Sequence, residues 1–152
     1  MGKLQDQVDA SVFVEHLLPS QRKDYRQIRE HCRRYIARLK DEEIYGFMSY
    51  GVLGEIWLAV RKRIPEEQQF EVLRDINALL HECHIRFNAP TPETYKIATA
   101  ILAEDTLMKP SDALRLAEAV TLGNERFVTI DRELIENKVQ QNKLNLKVTH
   151  PH

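Results

Sequence analysis

The chain has 152 residues, 43% hydrophobic and 30% charged, with five glycines, six prolines and a formal net charge of −1. That composition excludes collagen-like, low-complexity and disordered polymers, and the length lets a folded chain bury roughly 70% of the surface its unfolded form exposes. No apolar run approaches the roughly 20 residues of a membrane helix and the opening MGKLQDQVD lacks a signal-peptide core, so a cytoplasmic protein is expected.

Charge is unevenly spread. Between Ser20 and Lys40 stand eight basic residues and two acidic ones, so this segment carries +6 while the rest carries −7. Cys32 and Cys83 form no motif and read as small core residues in a reducing compartment.

In chain order, VDASVFVEHLL reads as a strand end followed by a helix, although the upstream KLQDQ is polar and suits a buried strand poorly. Pro19 and Ser20 open a helix whose buried stripe is Tyr25, Ile28, Cys32, Tyr35, Ile36 and Leu39. On that helix Arg22, Arg26, Arg29 and Arg33, at steps of four, three and four, share a face and form a candidate phosphate-contacting surface for nucleic acid. A partner surface built from Tyr25, Ile28 and Tyr35 is an alternative use of the same helix.

Ile44 to Tyr50 is rich in aromatic and branched residues and predicts a strand; Leu53, Ile56, Trp57 and Val60 then predict a helix. Pro65 begins another, with Phe70, Leu73, Ile76, Leu79 and Leu80 on its apolar side, before a short strand from His84 to Phe87. A further helix starts at Thr91 or Pro92 and carries Tyr95, Ile97, Ala98, Ile101 and Leu102.

Ser111 is a candidate N-cap for a helix with Ala113, Ala117 and Val120 inside, ended by Gly123 and Asn124. RFVTI predicts an interior parallel strand, DRELIENKVQQ one helix from Asp131, and LNLKVT a last strand, leaving residues 149–152 as a disordered tail. His150 and His152 fall in that tail; His81 and His84, in HECH, match no zinc spacing. The alternation of helix and strand predicts an α/β fold: one domain over residues 1–148, a three-layer α/β/α sandwich around a mainly parallel sheet.

Strand ends that feed helices gather along one edge of a parallel sheet, where ligands bind. Asp9, Glu55, Asp112 and Asp131 stand at such joins or one turn beyond. Each has an ordinary use, as a cap, a first-turn acid or a surface glutamate. Together they repel one another unless a cation sits among them, and hard oxygen ligands favour Mg²⁺ or Mn²⁺. Neither a GxxxxGK loop nor a GxGxxG fingerprint is present.

VDASVFVEHL, SYGVLGEIWLAV, PSDALRLAEAVTLG and RFVTIDREL resemble, in order and spacing, the acid-bearing segments of the PIN-domain family of metal-dependent ribonucleases, from about Val8 to the end of the chain. The resemblance implies that Asp9, Glu55, Asp112 and Asp131 bind one or two Mg²⁺ or Mn²⁺ ions and carry endonucleolytic hydrolysis of RNA. It implies that Ser11 and Thr129 stand beside the site, with the Thr129 hydroxyl orienting a carboxylate. It is nearest to VapC-like members of toxin-antitoxin systems, which implies a homodimer and an antitoxin partner. A domain of the same kind that binds RNA or protein without cutting is the alternative.

Overall fold

The computed structural model describes residues 2–152. Its elements run β1 (Leu4–Val8), α1 (Ala10–Leu17), α2 (Tyr25–Lys40), β2 (Ile44–Ser49), α3 (Tyr50–Arg63), α4 (Glu66–Glu82), β3 (Arg86–Asn88) and α5 (Pro92–Glu104). Then follow α6 (Pro110–Thr121), β4 (Arg126–Val128), α7 (Arg132–Glu136), α8 (Lys138–Leu144) and β5 (Lys147–Thr149). The five strands form one sheet of order β3-β2-β1-β4-β5, every neighbouring pair parallel.

Parallel neighbours need crossover helices, and right-handed crossovers put helices on opposite faces when the chain reverses its direction of travel across the sheet. The chain steps from β1 out to β3, then returns past β1 to β4 and β5. Val8, Ile44, Met48, Val128 and Ile130 pack with α1 to α4 in one core, whereas Phe127, Leu146 and Val148 pack with α5, α6 and Leu134 in the other. The three-layer α/β/α architecture follows.

The polar segment before Asp9 is the central strand. Asp6, fully buried, lies in register with Arg126 of β4, whose guanidinium donates to Asp6 Oδ1 at 2.8 Å and Oδ2 at 2.6 Å. The hydroxyl of Tyr35, on α2, donates to the same Oδ2 at 2.7 Å. A buried carboxylate is tolerated only when its charge and lone pairs are matched, and here β4 and α2 supply the match. Burial, and then Asp6, hold the Tyr35 hydroxyl well above its ordinary pKa, so it stays a donor.

Several expected boundaries move. The α2 helix begins at Tyr25 rather than at Pro19. Pro110 is the first residue of α6 and Lys109 its N-cap, so Ser111 caps nothing. The stretch after Asp131 is two helices, because the Asn137 side chain accepts from Gln140 N at 3.2 Å and caps α8. Gly123 ends α6 at φ 71°, a left-handed conformation that favours glycine. At Gly46 a Cβ would meet Ile85 and Leu39 side-chain atoms at 2.7 and 3.0 Å, so that position in β2 admits no larger residue without repacking.

Burial follows the helical stripes with exceptions. Ile28, Cys32, Tyr35, Ile36 and Leu39 are in the core, which removes Ile28 and Tyr35 from any partner surface. Trp57, Phe70 and Tyr95 are exposed instead of buried. Both cysteines are buried and unpaired, and burial pushes each thiol up to about 12, which makes them inert packing residues. The expected tail is ordered: Thr149 ends β5, Pro151 is buried, the His150 ring meets His31 edge-on at 5.2 Å, and Arg38 donates to the His152 carbonyl at 2.8 Å.

Removing one partner from the buried Asp6 set leaves a charge unmatched. Arg126→Met is therefore expected to lose about 3–5 kcal/mol of stability in urea unfolding, and Tyr35→Phe about 1–2 kcal/mol. Midpoints unchanged from wild type would remove the trio from its structural role.

Candidate functional site

The chain reverses its direction of travel between β1 and β4, which makes the C-terminal ends of these strands the usual ligand position of an open α/β sheet. Asp9 follows β1, and Thr129 to Asp131 follow β4; Asp9 N donates to Val128 O at 2.9 Å and fastens the two ends together. The Asp9 side chain makes no capping bond to α1. Instead Ser11 Oγ and Thr129 Oγ1 each donate to Asp9 Oδ2 at 2.8 Å. Those hydroxyls are themselves fixed, Ser11 Oγ accepting from Ile130 N at 3.3 Å and Thr129 Oγ1 from Asp131 N at 3.1 Å. Asp9 Oδ1 is buried with no hydrogen-bond partner.

What faces Asp9 Oδ1 is an arginine. Pro110 starts α6 so that Asp112 falls in its first turn and Arg115 one turn later on the same face. Arg115 Nη1 lies 3.4 Å from Asp9 Oδ1 and 3.1 Å from Asp112 Oδ1, and Nη2 pairs with Glu55 Oε2 on α3. Three of the four acids thus converge on one guanidinium, drawn from the end of β1, from α3 and from α6. Burial opposes the charge on Arg115, but Asp9, Glu55 and Asp112 outweigh it and raise its pKa. With that group between them, no three acid, histidine or cysteine side chains among the described residues are arranged to hold one metal ion.

The site extends further along α6. Glu118, one turn beyond Arg115, is 5% exposed and its Oε2 has no partner; Arg115 Nε is likewise buried and unpartnered. Burial raises the Glu118 carboxyl and Glu55 adds to the rise, against the Ser49 hydroxyl and Arg115. Asp112 is also raised, by burial first and then by Asp131 and Asp9, with Arg115 and Lys109 pulling the other way. Neither Arg115 nor Glu118 stands out in the sequence. A signal is there all the same, since Asp112, Arg115 and Glu118 recur every third residue along one helix.

Asp131 stands at the margin. Its Oδ1 accepts from Glu133 N at 3.0 Å and caps α7, while its charge is felt at Asp112. Beside Asp112 a groove of about 610 Å³ is lined by Leu107, Met108, Lys109 and Glu133 among others. The carboxylates surround the positive group of Arg115, and buried oxygens of Asp9 and Glu118 lack hydrogen-bond partners.

The four arginines of α2 and its approach do not act as one face. Arg29 donates to the carbonyls of Glu15 and Leu18 at 3.2 and 2.8 Å and closes the end of α1. Arg33 forks onto Glu30 at 2.9 and 2.6 Å. Arg26 is exposed beside Tyr25, and Arg22, 3.9 Å from Glu15, lines a cavity of about 410 Å³ with Ile130 and Arg132, the neighbours of Asp131. The start of α2 therefore reaches the same sheet edge as the acids.

No family model matches the chain, and no curated protein sequence matches it. Solved structures do. The chain is similar to FitAcB from Neisseria gonorrhoeae, with a TM-score of 0.69 and 15% identity over 96% of this chain and 97% of that one. It is similar also to VapBC2 from Rickettsia felis bound to a DNA fragment from their promoter, with a TM-score of 0.61 and 15% identity over 97% and 98%. These likenesses correct the family reading made from the sequence: at 15% identity they share the fold and are not specific to a PIN-domain toxin, so the VapC-like assignment does not stand. Among the described residues no helix is long and apolar enough to cross a membrane.

Because Glu118 has a raised pKa in the fold, its ionised form costs stability; the cost is absent below the ordinary carboxylate value and grows as pH rises through the folded one. Glu118→Gln is neutral throughout, so it is expected to unfold at a higher temperature than wild type at pH 7, with the gain fading below about pH 4. Parallel melting curves across that range would contradict the buried charge.

Proposed function

We propose that the protein is a Mg²⁺- or Mn²⁺-dependent endoribonuclease, a hydrolase of RNA phosphodiester bonds that acts as the toxin of a toxin-antitoxin pair. The observation that carries this reading is the convergence of Asp9, Glu55 and Asp112 on one cationic point in the crevice between β1 and β4. The fold shared with FitAcB and VapBC2 supports the pairing with an antitoxin.

Asp9, Glu55 and Asp112 would hold the divalent ion, with Asp131 completing the charge. When bound, such an ion yields hydroxide from water near neutral pH and offsets charge that builds on the phosphodiester. Ser11 and Thr129 fix Asp9 through its Oδ2 and leave Oδ1 without a hydrogen bond, facing Arg115. Arg22 and Arg26, the two members of the basic set least committed to internal bonds, would contact the RNA backbone. Exposed Tyr50, Trp57 and Leu58 of α3 offer apolar surface for a second copy or an antitoxin, in the cytoplasm.

One observation favours a second reading. Arg115 already supplies a cation to the acids, as it would in a domain of this fold that binds RNA or protein without cutting.

Incubation with single-stranded RNA distinguishes the two. The nuclease reading expects Mg²⁺-dependent fragments, suppressed at least about 100-fold in Asp9→Asn and in Asp112→Asn. Undiminished cutting by both variants would remove the acids from the chemistry. RNA binding that EDTA leaves intact, with no fragments at any Mg²⁺ concentration, would establish the binder. For either reading, Arg22→Glu with Arg26→Glu is expected to weaken RNA binding and flatten its salt dependence.

A further inference from the structure

The geometry points to Arg115 as a movable counter-cation that holds the place of the divalent ion and gives it up by turning to Glu118. This rests on the cation-site reading above.

Arg115 Nη1 lies within 3.4 Å of both Asp9 Oδ1 and Asp112 Oδ1. A Mg²⁺ ion needs its oxygens at about 2.0–2.1 Å, so an ion and this nitrogen cannot share the space between the same two carboxylates. An arginine cannot lose its charge to make way. Ion entry therefore requires the guanidinium to move.

Two features make the move available. The seat is incomplete, because Nε is buried without an acceptor while the outer nitrogens are engaged. One turn along α6, Glu118 Oε2 is buried without a donor. The two unsatisfied groups are complementary and stand at i and i+3 on one helix, within reach of each other. A rotation of the Arg115 side chain from the Asp9–Asp112 pair to Glu118 satisfies both and vacates the crevice. In the ion-free form Arg115 pairs with Asp9, Glu55 and Asp112; in the ion-loaded form the ion pairs with those acids and Arg115 with Glu118. In neither form is the arginine's buried charge left unmatched, which is the condition for a two-position arginine.

The test is calorimetric titration with Mn²⁺ alone, with no RNA present. Arg115→Met is expected to bind Mn²⁺ at least about tenfold more tightly than wild type, since no competing charge has to leave. Glu118→Gln is expected to bind it more weakly, because the arginine has lost its second partner. In the Arg115→Met background Glu118→Gln should have little further effect, for Glu118 acts through the arginine. Equal Mn²⁺ affinity of wild type and Arg115→Met would overturn the proposal, and so would a Glu118→Gln loss as large in the Arg115→Met background as in wild type. Where Arg115→Met does not fold without the ion, Arg115→Lys replaces it: one ammonium cannot span three carboxylates, so tighter binding is again expected and unchanged affinity again refutes. Absence of Mn²⁺ binding by every variant would sink the cation site itself, whereas tight binding by Arg115→Met without RNA cleavage would sink only the nuclease reading.

Discussion

Carboxylates gathered in one crevice repel one another, and the site in this fold exists only because a positive charge stands among them. The topology sets the gathering: β1 and β4 lie side by side and their following segments leave in opposite directions, so Asp9 and Asp131 both follow strand ends along one edge. The helices over that edge bring Glu55 and Asp112. Arg115 supplies the charge, reaching three acids from three parts of the fold at once. The resulting arrangement is poised, since a single delocalised cation faces three carboxylates and leaves part of their negative charge unbalanced.

A second matched charge keeps the scaffold in place. Asp6 sits in the middle of the central strand, and its neutralisation by Arg126 and Tyr35 ties β1 to β4 and to α2. Just past the end of the same strand, Asp9 opens the crevice. Two paired acids on one short stretch thus differ: the inner one is saturated with donors, and the outer one has an oxygen that makes no hydrogen bond and faces Arg115. Buried polar groups of the first kind fix register, whereas an unmatched group of the second kind calls for an explanation.

Much of the fold is legible in the sequence because its signals are local. Helical stripes such as Ile28, Cys32, Tyr35 and Leu39, and the caps at Thr91 and Gly123, depend on residues a few positions apart. The polar KLQDQ defies that logic, since a strand carrying Asp6 and Gln7 looks unfit for burial until Arg126, far along the chain, is placed against it. Trp57, Phe70 and Tyr95 fail in the other direction: periodicity puts a side chain on a face of its helix, and only packing decides how much of that face is covered. The basic set from Arg22 to Arg33 shares helical spacing, yet Arg29 and Arg33 bond internally, which spacing cannot reveal.

The sequence by itself determined the alternation of elements, the acids at their joins and hence the edge where chemistry is to be sought, because strand ends and helix starts are written in neighbouring residues. Tertiary structure alone decided what stands between those acids. Arg115 is an ordinary helix residue in sequence, and its role comes from the meeting of α6 with α3 and the end of β1. Electrostatic partnership depends on distance in space, and Asp9 and Arg115 meet from opposite ends of the chain, beyond the reach of any local pattern.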